Sequence, residues 1–334
     1  MLANSNILKD QFGRQHTYLR ISLTEKCNLR CTYCMPANGI PLTPKANLMT
    51  ANEVFDIAKL FVENGVNKIR LTGGEPLVRK DFLEIVTQLK KLNTEIAITT
   101  NGVLLDRYLK ELNQLNINNI TVSLDTLQKE KFTSITRRND FDKVWNNIIE
   151  LSKISDQVKI NVVLLKGVND HEINDFIKLT QNHNFKIRFI EFMPFDGNEW
   201  DTSKLISQDF ILNTINKEFN NNVVKLEDDK NDTSRNFKIN GFTGSFAIIS
   251  SVTNPFCDTC NRIRLTADGK IKNCLFSNSE TELLNELRKG NDIENLIQQS
   301  ILSKKKYRGG MNTLQKLSDP NIHRNNRSMI AIGG

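Results

Sequence analysis

Residues 18–34 read Tyr18-Leu19-Arg20-Ile21-Ser22-Leu23-Thr24-Glu25-Lys26-Cys27-Asn28-Leu29-Arg30-Cys31-Thr32-Tyr33-Cys34. The first part alternates apolar Leu19, Ile21 and Leu23 with polar Arg20 and Ser22, which predicts a strand with one face of each kind. The second part sets three thiols within eight residues, directly beyond the C-terminal end of that strand. Folds built from βα units place their active sites at this end.

The same alternation recurs along the first half of the chain. Strands are predicted at 18–23, 68–71, 95–100, 119–124, 158–165 and 186–191, with amphipathic helices between them. Thr50-Ala51-Asn52-Glu53 is a capping box. Val54, Ile57, Ala58, Phe61 and Val62 follow at helical spacing, and Asn64-Gly65 is a stop signal. Six alternating βα units imply a parallel sheet with right-handed crossovers. Such a sheet is either open and doubly wound or an incomplete barrel. Parallel strands packed on both sides are apolar on both faces, but here one face stays polar. Arg20 and Ser22, then Lys68, Arg70 and Thr72, then Thr121, Ser123 and Asp125, then Lys159 and Asn161, then Lys186 and Arg188 each share a face. A wet, basic lumen follows. The expected fold class is therefore α/β, an incomplete (β/α)6 TIM-like barrel over 1–195. The rhythm changes after about residue 195. A smaller C-terminal α+β domain over 196–334 is expected to close the barrel, with a helix at 205–219, an Asp/Asn-rich stretch at 227–236, strands at 237–240 and 245–249, and a hairpin turning at Asp268-Gly269.

Composition bounds the function. The chain has 334 residues, 39% hydrophobic and 25% charged, which suits a globular protein of one or two domains. Its apolar runs are all too short for a membrane span, and the polar N-terminus has no signal-peptide core, so a cytoplasmic protein without a membrane partner is expected. The net charge of +7 suits an anionic partner, either nucleic acid or a phosphorylated small molecule, and equally suits solubility alone. The six cysteines fall into two triads, Cys27, Cys31, Cys34 and Cys257, Cys260, Cys274. A long chain without a leader argues against a disulfide framework and for metal. Each triad is one ligand short of a structural zinc site or a four-cysteine cubane. Of the four histidines, His16, His171, His183 and His323, none stands at ligand spacing from a triad. The Asp268-Gly269 hairpin would fold Cys274 back toward Cys257 and Cys260. If 262–264 is a strand, Arg262 and Arg264 share a face suited to phosphate oxygens.

Cys27-x3-Cys31-x-Tyr33-Cys34 resembles the signature of the radical S-adenosylmethionine enzymes, as does Gly73-Gly74-Glu75-Pro76 at the end of the second strand. The resemblance implies a [4Fe–4S] cluster on the first triad, with the open iron chelated by S-adenosylmethionine. It implies cofactor contacts from Tyr33, Gly74, Ser123, Arg188 and Met193. Phe256-Cys257-Asp258-Thr259-Cys260-Asn261-Arg262-Ile263-Arg264 and the residues to Cys274 narrow the resemblance to the GTP 3′,8-cyclase family of molybdenum cofactor biosynthesis. Phe12-Gly13-Arg14, Thr99-Thr100-Asn101-Gly102 and the terminal Gly333-Gly334 agree. That likeness implies a second [4Fe–4S] cluster on the second triad and GTP as substrate, held by Arg20, Arg70, Thr99, Lys159, Arg262, Ile263 and Arg264. It implies a 5′-deoxyadenosyl radical that abstracts the 3′ hydrogen of GTP, after which C3′ attacks C8 to give 3′,8-cyclo-7,8-dihydro-GTP. No side chain is assigned as catalytic. An external electron donor is required, and the product would pass to cyclic pyranopterin monophosphate synthase. The glycine tail is implied to reach the active site, and a homodimer is left open. A radical enzyme acting on RNA or a peptide, or a zinc-stabilised nucleic-acid-binding protein, would share some of these features, although the basic residues placed above point inward rather than toward a polymer.

Overall fold

The computed structural model describes residues 7–36, 38–198, 200–319, 322 and 326–333. His323 and Gly334 lie outside the described residues.

Six strands form the scaffold: β1 (Tyr18–Ser22), β2 (Lys68–Thr72), β3 (Glu95–Thr100), β4 (Asn119–Ser123), β5 (Val158–Leu164) and β6 (Phe185–Glu191). Each pairs in parallel with the next. The crossovers carry helices α1 (Ala51–Glu63), α2 (Phe82–Leu89), α3 (Leu109–Gln114), α4 (Lys129–Thr136), α5 (Phe141–Ser152) and α6 (Ile173–Asn182). The start of α1 shows the local logic. The Thr50 side chain accepts from the Glu53 amide while the Glu53 carboxylate accepts from the Thr50 amide, so both orphan donors are satisfied. Val54, Ile57, Ala58 and Phe61 then lie buried on one stripe against the outer face of the sheet. Removing the Phe61 ring would cost about 3–5 kcal/mol, the range for large-to-small changes in a core.

The strand faces divide as the alternation predicts. Leu19, Ile21, Ile69, Leu71, Ile98, Ile160, Val162, Ile187 and Phe189 are fully buried in the main core. The intervening Arg20, Arg70, Thr72, Ser123, Lys159, Asn161 and Arg188 instead line an internal cavity.

The second part of the chain completes this sheet instead of building another. After α7 (Gln208–Glu218) come β7 (Val223–Lys225), β8 (Arg235–Ile239), β9 (Ser245–Ile249), β10 (Arg262–Leu265), β11 (Lys270–Lys272) and β12 (Thr281–Glu282). β9 joins β6 in parallel and β10 joins β1 in parallel. Antiparallel partners extend each edge outward, giving the order β12-β11-β10-β1-β2-β3-β4-β5-β6-β9-β8-β7. Eight parallel strands thus curve around the lumen. Hydrogen bonds do not close the ring, because β9 and β10 are not paired among the described residues. The sheet runs straight across the expected boundary at 195/196. A small second core of Val252, Phe276, Met311 and Leu317 lies beyond it.

Candidate active site

Strand direction puts the two triads at opposite ends of one cavity. Cys27 follows the C-terminal end of β1, whereas Cys260 precedes the N-terminal end of β10, and β1 and β10 run in parallel. The β10–β11 hairpin turns at Gly269, where φ is +70° and a Cβ would strike Leu284. It brings Cys274 back beside Cys257 and Cys260 as expected. The cavity measures about 620 Å³ and is lined by both triads and by every other candidate residue except Ile263. Ile263 differs from the rest in its side chain. It lies between two inward arginines, so its side chain faces outward into the main core and is 1% exposed. It can offer the cavity only backbone.

At the first triad, Cys27, Cys31 and Cys34 are half-buried thiols that disfavour one another's ionisation. Burial first, then Glu75, pushes Cys27 up to about 11; burial, then Cys27 and Asp125, pushes Cys34 up to about 12. Three such thiols become thiolates only around a strongly cationic body, which is the donor set an iron–sulfur cluster uses. Among the described residues no group of three or more His, Cys, Asp or Glu side chains is arranged to hold a single metal ion. Three thiols at each end of the cavity leave a single zinc ion one ligand short, whereas a cluster can keep one iron open. The three described histidines are engaged elsewhere. His16 is buried against Asp10 (3.1 Å), His171 lies beside Lys131, and His183 stacks on Phe185.

The loop after β2 is built to approach this triad. A Cβ on Gly74 would lie 2.5 Å from the Lys26 carbonyl oxygen and 2.7 Å from that of Glu25. Only glycine lets the backbone press so closely against the segment leading into Cys27. The Gly74 and Glu75 amides donate to the carbonyls of Thr24 (2.7 Å) and Lys26 (2.8 Å). Glu75 is fully buried and accepts from the Leu77 amide (3.0 Å), the Thr100 hydroxyl (2.7 Å) and the Asn101 amide (2.6 Å). Burial still pushes its carboxyl up to about 7. Asn101 in turn donates to Asn28 (2.8 Å) and reaches Cys27 Sγ (3.7 Å). Across the cavity, Tyr33 donates to Asp125 (2.6 Å), whose carboxyl is pushed up to about 6 by burial. The triad loop is therefore tied to the ends of β2, β3 and β4. This is a cradle of bare backbone beside an incomplete cluster site, which suits an amino-acid-like cofactor.

The middle of the cavity is strongly cationic, and the register shows why. Arg264, Arg20 and Arg70 stand directly opposite one another on β10, β1 and β2. Like charges on neighbouring strands are destabilising. Lys159 on β5 lies opposite Lys186 on β6. Burial first, then Arg70, Lys68, Arg188 and Lys186, draws the Lys159 ammonium down to about 8. Burial and Arg70 draw Arg20 and Arg188 each down to about 10. This stored positive potential is what a polyanion would relieve. Arg70 is held by Thr99 Oγ1 (3.1 Å), Thr121 Oγ1 (3.2 Å) and the Ile98 carbonyl (3.2 Å).

Around the second triad stand three residues to which the sequence assigns no place in the site. Lys304 Nζ reaches Cys260 Sγ (3.6 Å) and donates to the Arg262 carbonyl (2.8 Å). Burial pushes the Cys260 thiol up, but Lys304 and Arg262 outweigh it and hold the thiol at about 7. The Arg308 amide donates to Cys257 Sγ (3.4 Å), and Arg14 donates to the Cys257 carbonyl (2.8 Å). The only sequence signal for the first two was a basic, unpatterned tail. The 227–236 loop, to which no role was given, adds Asp229, Asn231 and Asp232 to the cavity wall. The Asn231 carbonyl accepts from Arg262 (2.8 Å). The chain's end also reaches inside. Met329 and Ile330 line the cavity, and the Gly333 carbonyl accepts from the Arg264 guanidinium. At Gly333 φ is +82°, and a Cβ would strike Thr72 and Ser22.

Comparison with known proteins matches this arrangement in two parts. Residues 21–180 match the radical SAM superfamily, and residues 185–309 match the family described as Molybdenum Cofactor Synthesis C. Among solved structures, Streptococcus suis SuiB aligns over 97% of this chain and 74% of its own, with a TM-score of 0.57 at 14% identity. The AdoMet-bound anSMEcpe structure aligns over 95% and 88%, with a TM-score of 0.54 at 15% identity. These establish the fold, the partial barrel of the radical SAM class.

Closer relatives carry the finer assignment. The GTP 3′,8-cyclase of Peptoclostridium acidaminophilum is 41% identical over 90% of this chain and 93% of its own length. The mitochondrial GTP 3′,8-cyclase of Arabidopsis thaliana is 47% identical over 99% and 84%. The chain belongs to the GTP 3′,8-cyclase family. Human molybdenum cofactor biosynthesis protein 1 is 45% identical over 98% of this chain but only 51% of its own length, and the chain likewise spans about half of several other animal relatives. No helix among the described residues is long and apolar enough to cross a membrane.

Proposed function

We propose that the chain catalyses the conversion of GTP to 3′,8-cyclo-7,8-dihydro-GTP, the first step of molybdenum cofactor biosynthesis. The observation that carries this reading is a row of inward cations between two cysteine triads at opposite ends of one cavity. Its volume of about 620 Å³ suits a nucleotide with a cofactor rather than a polymer.

Cys27, Cys31 and Cys34 would hold a [4Fe–4S] cluster with an open iron for S-adenosylmethionine. When bound, this pair supplies the one-electron cleavage that starts the radical chemistry. Gly74 presents backbone to the cofactor, with Tyr33, Ser123, Arg188 and Met193 around it. Cys257, Cys260 and Cys274 would hold a second cluster, with Lys304 and the Arg308 amide offsetting thiolate charge. Arg20, Arg70, Lys159, Arg262 and Arg264, with Thr99, would bind the triphosphate by charge-assisted hydrogen bonds. The enclosing sheet and the 227–236 loop keep water and stray hydrogen donors away from a reactive intermediate. An external one-electron donor and cyclic pyranopterin monophosphate synthase are the partners this reading requires. The six free cysteines suit a reducing compartment, and the cytoplasm is the one we assign.

The test is anaerobic turnover. With S-adenosylmethionine, GTP and a reductant, purified protein should yield 5′-deoxyadenosine and a cyclised nucleotide. Deoxyadenosine formation indifferent to GTP would refute the assignment.

A further inference from the structure

Tyr18 has no part in the assignments above, yet it sits at the centre of the cation array. It opens β1 and stands opposite Lys68 on β2 and Arg262 on β10. The Lys68 ammonium lies 5.7 Å and the Arg262 guanidinium 5.9 Å from the centroid of its ring. Its hydroxyl accepts from Arg70 Nε at 2.5 Å. Arg70 Nη1 is already taken up by Ile98, Thr99 and Thr121. With Nε fixed by Tyr18, only the Nη2 edge is left without a partner among the described residues.

Guanidiniums this close repel, and long side chains left to themselves would splay apart. A guanidinium fork is useful to a phosphate only when its orientation is fixed in advance. Tyr18 does this on both sides. Its hydroxyl fixes one arginine by a directed bond, and its π face seats the other, for which the Phe256 ring at 4.9 Å forms a second wall. We propose that Tyr18 is a positioning residue of the triphosphate site, holding Arg70 through its hydroxyl and Arg262 on its ring so that cations from two strands meet one polyanion. This rests on the GTP reading above.

The test uses the anaerobically purified holoenzyme and its Tyr18→Phe and Tyr18→Leu variants. Iron content and S-adenosylmethionine affinity are measured on the same preparations. Tyr18→Phe should raise the KM for GTP about ten-fold, the low end for a hydrogen bond to a charged group because Arg70 keeps three other acceptors. Tyr18→Leu also removes the seat for Arg262 and should raise it by about another five-fold. Both losses should fall on KM rather than kcat. Inorganic tripolyphosphate, tested as a competitive inhibitor, should weaken in parallel. An unchanged KM in Tyr18→Phe overturns the proposal. So does a loss confined to kcat, or a loss of iron or cofactor affinity, which would make Tyr18 part of the scaffold. Wild-type enzyme that does not bind GTP would refute the functional reading instead, so the two failures are distinguishable.

Discussion

Lys159→Gln separates stability from binding. Lys159 donates to Asn119 (3.0 Å) and is half-buried among Arg70, Lys68, Arg188 and Lys186. Its ammonium is drawn from an ordinary 10.5 down to about 8. Charging it in the folded, ligand-free protein therefore costs up to roughly 3 kcal/mol relative to the unfolded chain. Because the folded value is the lower one, this cost is fully present below pH 8 and fades as pH rises from 8 toward 10.5. Glutamine keeps most of the length without the charge. The variant should be more stable than wild type at pH 7, by up to about 3 kcal/mol before any loss of packing, and the advantage should shrink above pH 8. GTP affinity should move the other way, falling about 10- to 100-fold with the loss of a charged contact of roughly 1.5–3 kcal/mol. In wild type, affinity should weaken above pH 8 as the ligand-free lysine gives up its proton. Anaerobic denaturant melts at pH 7 and 9.5, paired with GTP titrations, read all of this. A variant less stable than wild type at pH 7, or one binding GTP equally well, would refute the idea that the cavity holds uncompensated charge for a polyanion.

Three further outcomes are expected. Arg264→Ala should weaken GTP binding by about 10-fold or more while leaving the iron of the first triad in place, and equilibrium binding with iron analysis reads both. Gly74→Ala should lower S-adenosylmethionine affinity and the melting temperature together, because its methyl group meets two carbonyl oxygens. Retained affinity in isothermal titration would show that the backbone does not make the cradle. Reconstituted protein should carry about eight irons and eight labile sulfides, and Cys257→Ser about half of each, since each cubane holds four irons; zinc without sulfide would exclude clusters.

The parts of the site that follow a period were legible in the sequence. Period-two alternation placed Arg20, Arg70, Lys159 and Arg188 on the inner face, and the strand ends located the first triad. The same alternation turns the Ile263 side chain away from the cavity and leaves it only its backbone to offer. A residue between two inward arginines must point its side chain outward, and only family likeness places Ile263 at the substrate. Strand neighbours were not legible, because nothing in residues 262–265 says that they lie against residues 18–21. That pairing spans some 240 residues and is fixed by the closing geometry of the whole sheet. β7 was missed because three residues at an edge, two of them exposed, carry no alternation. Lys304 and Arg308 were missed for a related reason. Each contributes a single charged or polar atom to a cysteine, and single contacts leave no pattern.

The order of strands in the sheet is not their order of synthesis. β1 is made first, yet its outer edge stays bare until β10 emerges, and the edge of β6 waits for β9. Residues 262–265 leave the ribosome roughly 70 residues after β6, several seconds or more at cellular translation rates. Until β9 emerges the nascent six-stranded sheet shows two unpaired parallel edges, and the β1 edge stays unpaired until β10 follows, the kind of edge that recruits foreign strands. The strand that finally covers β1 also carries Arg262 and Arg264 and follows directly on Cys260. Protection of the early edge and assembly of the anion site are therefore one event, and a chain that fails to complete its sheet also fails to complete its chemistry.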